Sequence, residues 1–288
     1  MEIEDNLLYP APAAAPQPSI SIAAVPTPNN PSWGSLAAVG VWIASVLFIL
    51  IVPTLFLLPY LATIKPPLIE SAEIVEFAKT DPTAIFLQIL AVIPAHILTV
   101  LLAWLVVTRF KKYSFTKTLG WNSGGIGMWF AYPIILVIFF AIALIVGNFF
   151  PEQENDLIRI LHSSRSAVYL VAFVATFTAP FVEEVVYRGV LYSAFQRTMG
   201  VPAAFLLVTL LFAVVHVPQY YPSYSTIFLL GMLSLILTSI RVRTNNLLPC
   251  IVLHTLFNGI QSILLILEPL AKTSPAADPA AAIFHLFK

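Results

Sequence analysis

The run Phe181-Val182-Glu183-Glu184-Val185-Val186-Tyr187-Arg188 sets two adjacent carboxylates and a guanidinium at the end of an apolar stretch that begins near Ala167. Two later apolar segments each carry one imidazole, in Phe212-Ala213-Val214-Val215-His216 and in His254-Thr255-Leu256-Phe257-Asn258. A charge at the centre of a bilayer costs about 2.5–3.5 kcal/mol on insertion scales, so such residues persist where something pairs or uses them. Glu184 and Arg188 stand four residues apart and face each other on a helix, where an ion pair lowers the cost of burying both. Glu183 lies about 100° further around and lacks that partner. An unpaired carboxylate in a low-dielectric site is suited to accept a proton, which makes Glu183 the candidate general base.

Two routes to amide hydrolysis use these groups. In one, Glu183 activates a water that His216 orients, while His254 and Asn258 donate hydrogen bonds to the developing oxyanion. In the other, Glu183, His216 and His254 bind a divalent metal, zinc by donor type, whose bound water is the nucleophile. Asn258 lies one turn beyond His254 and projects from the same face, and Phe212 has the same relation to His216 and is placed to shape the pocket. Tyr187, four residues after Glu183, is placed to hydrogen-bond there. Each residue taken singly has a plainer role. A lone intramembrane histidine often only joins two helices, and His96, His162 and His285 are read that way. Three ordered motifs on three of the apolar segments favour the chemical reading.

The elements that carry them read as membrane spans. The chain has 288 residues, 59% hydrophobic and 10% charged, with 21 Phe, 5 Trp and a mean hydropathy of +0.91. That composition marks an all-α polytopic bundle. A net charge of zero offers nothing to nucleic acid, and the single Cys250 rules out an internal disulfide and a Cys/His zinc knuckle. Seven hydrophobic segments are expected, near residues 35–64, 84–107, 126–149, 167–198, 203–217, 226–240 and 247–267. The fifth stops at Pro218, and the fifth and sixth are short enough to be re-entrant. A simple crossing sets His216 about 20 Å along segment five but His254 only about 10 Å into segment seven, so segment five is expected to tilt or shift.

The remaining segments frame this core. Residues 1–34, rich in Pro and Ala, read as a disordered tail rather than a cleaved signal peptide; residues 35–165 hold the N-terminal spans, 166–270 the catalytic core and 271–288 a short tail. Residues 151–166 form an amphipathic surface helix with Leu157, Ile160 and Leu161 on one face. Gly124-Gly125-Ile126-Gly127 lacks a preceding strand and is no nucleotide fingerprint. Arg109, Lys111, Lys112, Lys117, Arg197, Arg241 and Arg243 fall at one end of the spans, which this bias assigns to the cytoplasm. Glu268 reads as interfacial.

At Glu183-Glu184…Arg188, Phe212…His216 and His254…Asn258 the chain resembles the CAAX-protease and bacteriocin-processing family of intramembrane endopeptidases, which includes the Ras-converting prenyl protease. The resemblance covers about Ala167 to Ile260, and Tyr187-Arg188-Gly189 suits it too. It implies a helical bundle with a water-filled cavity open to the cytosol, in which Glu183 activates water, His216 assists, and His254 and Asn258 stabilise the oxyanion. Glu184, Arg188, Tyr187 and Phe212 support them. The family's members have been described both as metalloproteases and as metal-independent glutamate proteases; no obligatory cofactor is the preferred reading here, with zinc the alternative. The expected partners are the lipid bilayer and a protein or peptide substrate at the membrane, prenylated C-terminal motifs among the candidates. Two other classes compete: an ion- or proton-coupled transporter, and a non-catalytic membrane adaptor or immunity protein.

Overall fold

The computed structural model describes residues 25–65, 70–123 and 126–272. The leader up to residue 24, Gly124-Gly125, the side chain of Glu268 and the C-terminal tail with His285 lie outside the described residues. Among those described there is no β-strand, and the long elements are helices: α1 (Ser35–Leu61), α2 (Ser71–Thr80), α3 (Pro82–Thr108), α4 (Phe115–Leu119), α5 (Ile126–Phe149), α6 (Asp156–Ser163), α7 (Arg165–Phe173), α8 (Ala179–Glu184), α9 (Tyr192–Met199), α10 (Val201–Tyr220), α11 (Tyr224–Thr244) and α12 (Leu248–Lys272). Helices α7 to α9 form one continuous rod, joined by π-helical turns at Val174–Thr178 and Val185–Leu191. Among the described residues, seven helical segments are long and apolar enough to cross a membrane: α1, α3, α5, the α7–α9 rod, α10, α11 and α12. Their outward faces are apolar, as Leu36, Leu50, Phe130 and Val137 show. The protein is an integral, multi-pass membrane protein.

Local chemistry starts these helices where the loops end. Asp81 caps α3, its Oδ1 accepting from the Ala84 amide at 2.8 Å ahead of an N-terminal proline. Asn155 caps α6 and Ser164 caps α7 in the same way. The fifth and sixth segments are longer than expected, 20 and 21 residues, so by length each can cross. Pro218 does not end α10. It sits in the last turn, where its missing N–H removes a single helical bond, and the helix runs on to Tyr220. Helices α2 and α4 fall in stretches read as loops.

The rod and α10 form an antiparallel hairpin about Gly200, whose φ of +83° turns the chain. Glu183 lies seventeen residues before that glycine and His216 sixteen after it, so the pairing brings them level. The depth mismatch expected for His216 therefore disappears. Helix α12 also starts deep inside the bundle. Leu247 is fully buried beside Leu119, and a Cβ on Gly189 would lie 3.4 Å from its side chain. From there fewer than two turns carry His254 to the glutamates.

The apolar core wraps the rod from Val182 to Phe195 and gathers Trp33, Ala38 and Val41, Ala103 and Val107, Val208 and Phe212. Residues 25–34 are part of this packing, which corrects the tail boundary. Trp33 is buried and its indole N–H donates to the Val190 carbonyl at 3.0 Å. Gln196 donates to the Pro28 carbonyl and Arg197 to that of Pro31. A second correction concerns charge. Arg241 is fully buried rather than in a loop. Without it, Arg109, Lys111, Lys112, Lys117, Arg197 and Arg243 at one end face Lys65, Lys79, Arg159 and Arg165 at the other. The Lys/Arg bias that assigned the cytoplasmic end is smaller by one.

Two outcomes test this packing. Gly120 has φ +71°, and a Cβ there would meet the Asn245 carbonyl oxygen at 2.3 Å, whereas a Cβ on Gly200 meets nothing nearer than 3.9 Å. Both substitutions put a side chain at positive φ, Gly120 in the left-handed region and Gly200, with ψ 166°, in a region essentially confined to glycine, at a cost of about 1–3 kcal/mol each. Gly120→Ala should therefore lower the melting temperature in detergent clearly more than Gly200→Ala. Glu152, in the loop before α6, is held above the usual carboxylate range by burial, against weaker opposing hydrogen bonds from Thr226 and Asn155. A folded state that favours the protonated acid loses stability as pH rises from the ordinary carboxylate range through the raised value. Glu152→Gln should thus raise the melting temperature at neutral pH, and the gain should shrink on acidification below about pH 4.

Candidate active site

The site is built on α8, between the two π-helical turns. A π turn widens the helix and frees backbone carbonyls for other partners, and such turns recur at functional sites. Here side chains from elsewhere take them. The Ala175 carbonyl accepts from Asn258 Nδ2 at 2.8 Å, the Arg188 carbonyl from Arg241 Nε at 2.9 Å, and the Val190 carbonyl from Trp33. The rod is thus widened on both sides of Glu183-Glu184, and the widened turns are held from outside.

Glu184 and Arg188 form the expected ion pair, Nη1 to Oε1 at 2.9 Å, with both side chains fully buried. The pair does more than sit together. Glu184 Oε1 also lies 2.9 Å from His254 Nδ1, so one carboxylate oxygen serves the guanidinium and the imidazole. A carboxylate already accepting from Arg188 takes the hydrogen of Nδ1, which fixes the ring and directs Nε2 the other way. Nε2 then faces Glu183 Oε2 at 3.8 Å. His216 is set in the same manner from α10. Its Nδ1 donates to the Phe212 carbonyl at 2.6 Å, and its Nε2 faces Glu183 Oε1 at 4.0 Å. The two oxygens of Glu183 therefore each look at an imidazole Nε2. Both gaps exceed a direct hydrogen bond.

Phe212 forms the wall of this pocket. Its ring lies 4.7 Å from that of His216, 6.0 Å from that of His254 and 5.1 Å from that of Tyr187, with the Arg188 guanidinium 4.6 Å over its face. Tyr187 does not bond to Glu183 as expected; its hydroxyl accepts from the Trp42 indole at 3.0 Å, a contact that brings α1 to the site. Asn258 reaches the Ala175 carbonyl with one of its two amide hydrogens and keeps the other free of it. His96 is the helix-to-helix link anticipated. Thr178 gives its hydroxyl proton to the Val174 carbonyl and accepts from His96 Nδ1 at 2.9 Å.

Sequence reasoning missed the far side of the pair. On α11, Ser234 Oγ and its carbonyl accept from Arg188 Nη2 at 2.8 and 3.1 Å, Thr238 Oγ1 accepts from Nε at 3.3 Å, and Arg241 holds the Arg188 carbonyl. Ser234, Thr238 and Arg241 recur at helical spacing in an otherwise apolar segment, which is the signal that could have found them. An apolar groove of about 310 Å³ between α5 and α11, with Ile135, Phe139, Ile236 and Ile240 among its walls, does not include Glu183.

The donor types of Glu183, His216 and His254 match those of a zinc site, yet among the described residues no three His, Cys, Asp or Glu groups converge to hold a metal ion.

Residues 165–260 match the family described as Type II CAAX prenyl endopeptidase Rce1-like. Nothing matches the chain among curated proteins or solved structures. The match covers a third of the chain and takes in Glu183, Glu184, Arg188, His216, His254 and Asn258. The segment from 165 to 260 is thus similar to the CAAX prenyl endopeptidase family of membrane proteases.

Proposed function

We propose that this protein is an intramembrane endopeptidase that hydrolyses peptide bonds of membrane-associated or C-terminally processed substrates, with Glu183 as general base and no obligatory metal. The observation that carries the reading is one carboxylate whose two oxygens face two imidazole nitrogens, each ring fixed through its Nδ1.

A water between Glu183 and His216 gives a proton to Glu183 as its oxygen attacks the scissile carbonyl carbon. His216, donating from Nδ1 to Phe212, presents the Nε2 lone pair and holds the second water hydrogen. The C–O π electrons move onto the carbonyl oxygen, and the oxyanion takes hydrogen bonds from His254 Nε2 and the free N–H of Asn258. Donation from Nε2 requires His254 protonated at both nitrogens, and the Glu184 carboxylate beside Nδ1 is the counter-charge of that ring. The tetrahedral intermediate collapses, the C–N bond breaks, and the proton on Glu183 passes to the departing amine. Arg188 keeps Glu184 in place throughout, and Phe212 walls the pocket. Removing a positioned general base costs about 10²–10⁴-fold in rate.

The test is cleavage of a quenched peptide library by purified protein, with new termini read by mass spectrometry. Glu183→Gln should lose at least about 100-fold in rate with its melting temperature unchanged, and His216→Ala should lose comparably. Wild-type rates in either variant remove that residue from the mechanism. Proton-coupled flux in liposomes with no cleavage would replace the hydrolase by a transporter. Activity should also survive chelation. Loss with EDTA and recovery on added zinc would transfer the nucleophile to a metal on Glu183, His216 and His254.

A further inference from the structure

Arg241 is a fully buried cation that pairs with no carboxylate among the described residues. A guanidinium in such a place is costly to desolvate, and packing alone does not call for one. Its contacts are specific. Nε donates to the Arg188 carbonyl at 2.9 Å, Nη2 donates to Ser193 Oγ at 3.1 Å, and the group lies 5.8 Å over the Tyr192 ring. All three partners follow Glu183-Glu184 on the rod, and the Arg188 carbonyl belongs to the π-helical turn Val185–Leu191.

We infer that Arg241 is a positioning residue for the catalytic groups: it fixes the widened turn behind the two glutamates. The kinetic part of this inference rests on the hydrolysis proposed above.

Helix α11 grips Arg188 at both ends. Ser234 and Thr238 hold the guanidinium while Arg241, one turn on, holds the main chain of the same residue. The line then continues from Arg188 to Glu184, from Glu184 to His254 and from His254 towards Glu183, in contacts of 2.9, 2.9 and 3.8 Å. A shift of the Val185–Leu191 turn therefore moves the carboxylate that orients His254.

The experiment uses the full chain in detergent micelles, with amide hydrogen exchange and steady-state kinetics on one peptide that the wild type cleaves. Arg241→Met keeps length and removes both donors and charge. Exchange should accelerate at residues 185–191 while α1 and α3 stay as in wild type. kcat should fall about 100-fold with KM nearly unchanged, the scale expected when reacting groups are misplaced by about 1 Å. Arg241→Lys keeps the charge on one ammonium, which cannot reproduce the planar fork to both the Arg188 carbonyl and Ser193. It should lie between wild type and the Met variant in both readouts. If the Met variant does not fold, the Lys variant decides. Wild-type exchange and kcat in Arg241→Lys overturn the assignment, as does acceleration spread evenly over the bundle, which would mark a general structural role. Should the wild type cleave no peptide at all, the hydrolase reading fails while the exchange data still judge the turn.

Discussion

One carboxylate oxygen, Glu184 Oε1, organises the centre of this protein. It accepts from Arg188 Nη1 and from His254 Nδ1, both at 2.9 Å, in a place with no solvent exposure for either Glu184 or Arg188. In such surroundings, removing either partner of the ion pair leaves an uncompensated charge, a loss of about 3–5 kcal/mol. The pair therefore tolerates little displacement, and whatever it touches inherits that rigidity. His254 receives a fixed ring orientation, and α11 is drawn in by the hydrogen bonds that Ser234 and Thr238 accept. Glu183, one residue earlier, is left on the other side of the helix with imidazoles for neighbours. The two adjacent acids have different partners because helix rotation gives them different environments.

The second constraint is the backbone of the rod. Two π-helical turns within eighteen residues, Val174 to Leu191, release carbonyls in an apolar setting, where each one left unmet is expensive. Trp33, Arg241 and Asn258 meet them from the N-terminal segment, α11 and α12. Elements distant in sequence are thus tied to the rod by the irregularity that shapes the site. The irregular backbone is tolerated because it is sheltered by protein and not by lipid.

Much of the architecture was legible in the residues. Apolar runs located all seven spans, since burial of backbone polar groups in a bilayer leaves helix as the open choice for segments of this length. The ends were less legible. Pro218 suggested a stop that the fold does not make, and the short helices α2 and α4 carry too few residues for a periodic signal. Arg241 was misread because a cation near the end of an apolar run looks the same whether it meets water or the Arg188 carbonyl. Trp33 and Trp42 carried no signal at all, since their partners lie about 150 residues away in sequence.

The residues alone determined that this is a polytopic helical protein, that Glu184 and Arg188 pair, and that Glu183, His216 and His254 stand apart as reactive types on three apolar segments. Those statements rest on hydrophobic run length and on the 3.6-residue period, both local properties of a chain. Tertiary structure decided which nitrogen of each histidine faces Glu183, that Glu184 rather than solvent orients His254, and that α12 begins inside the bundle beside Gly189. These are matters of register between helices, set by side chains that meet only once the bundle has closed, and no local spacing encodes them.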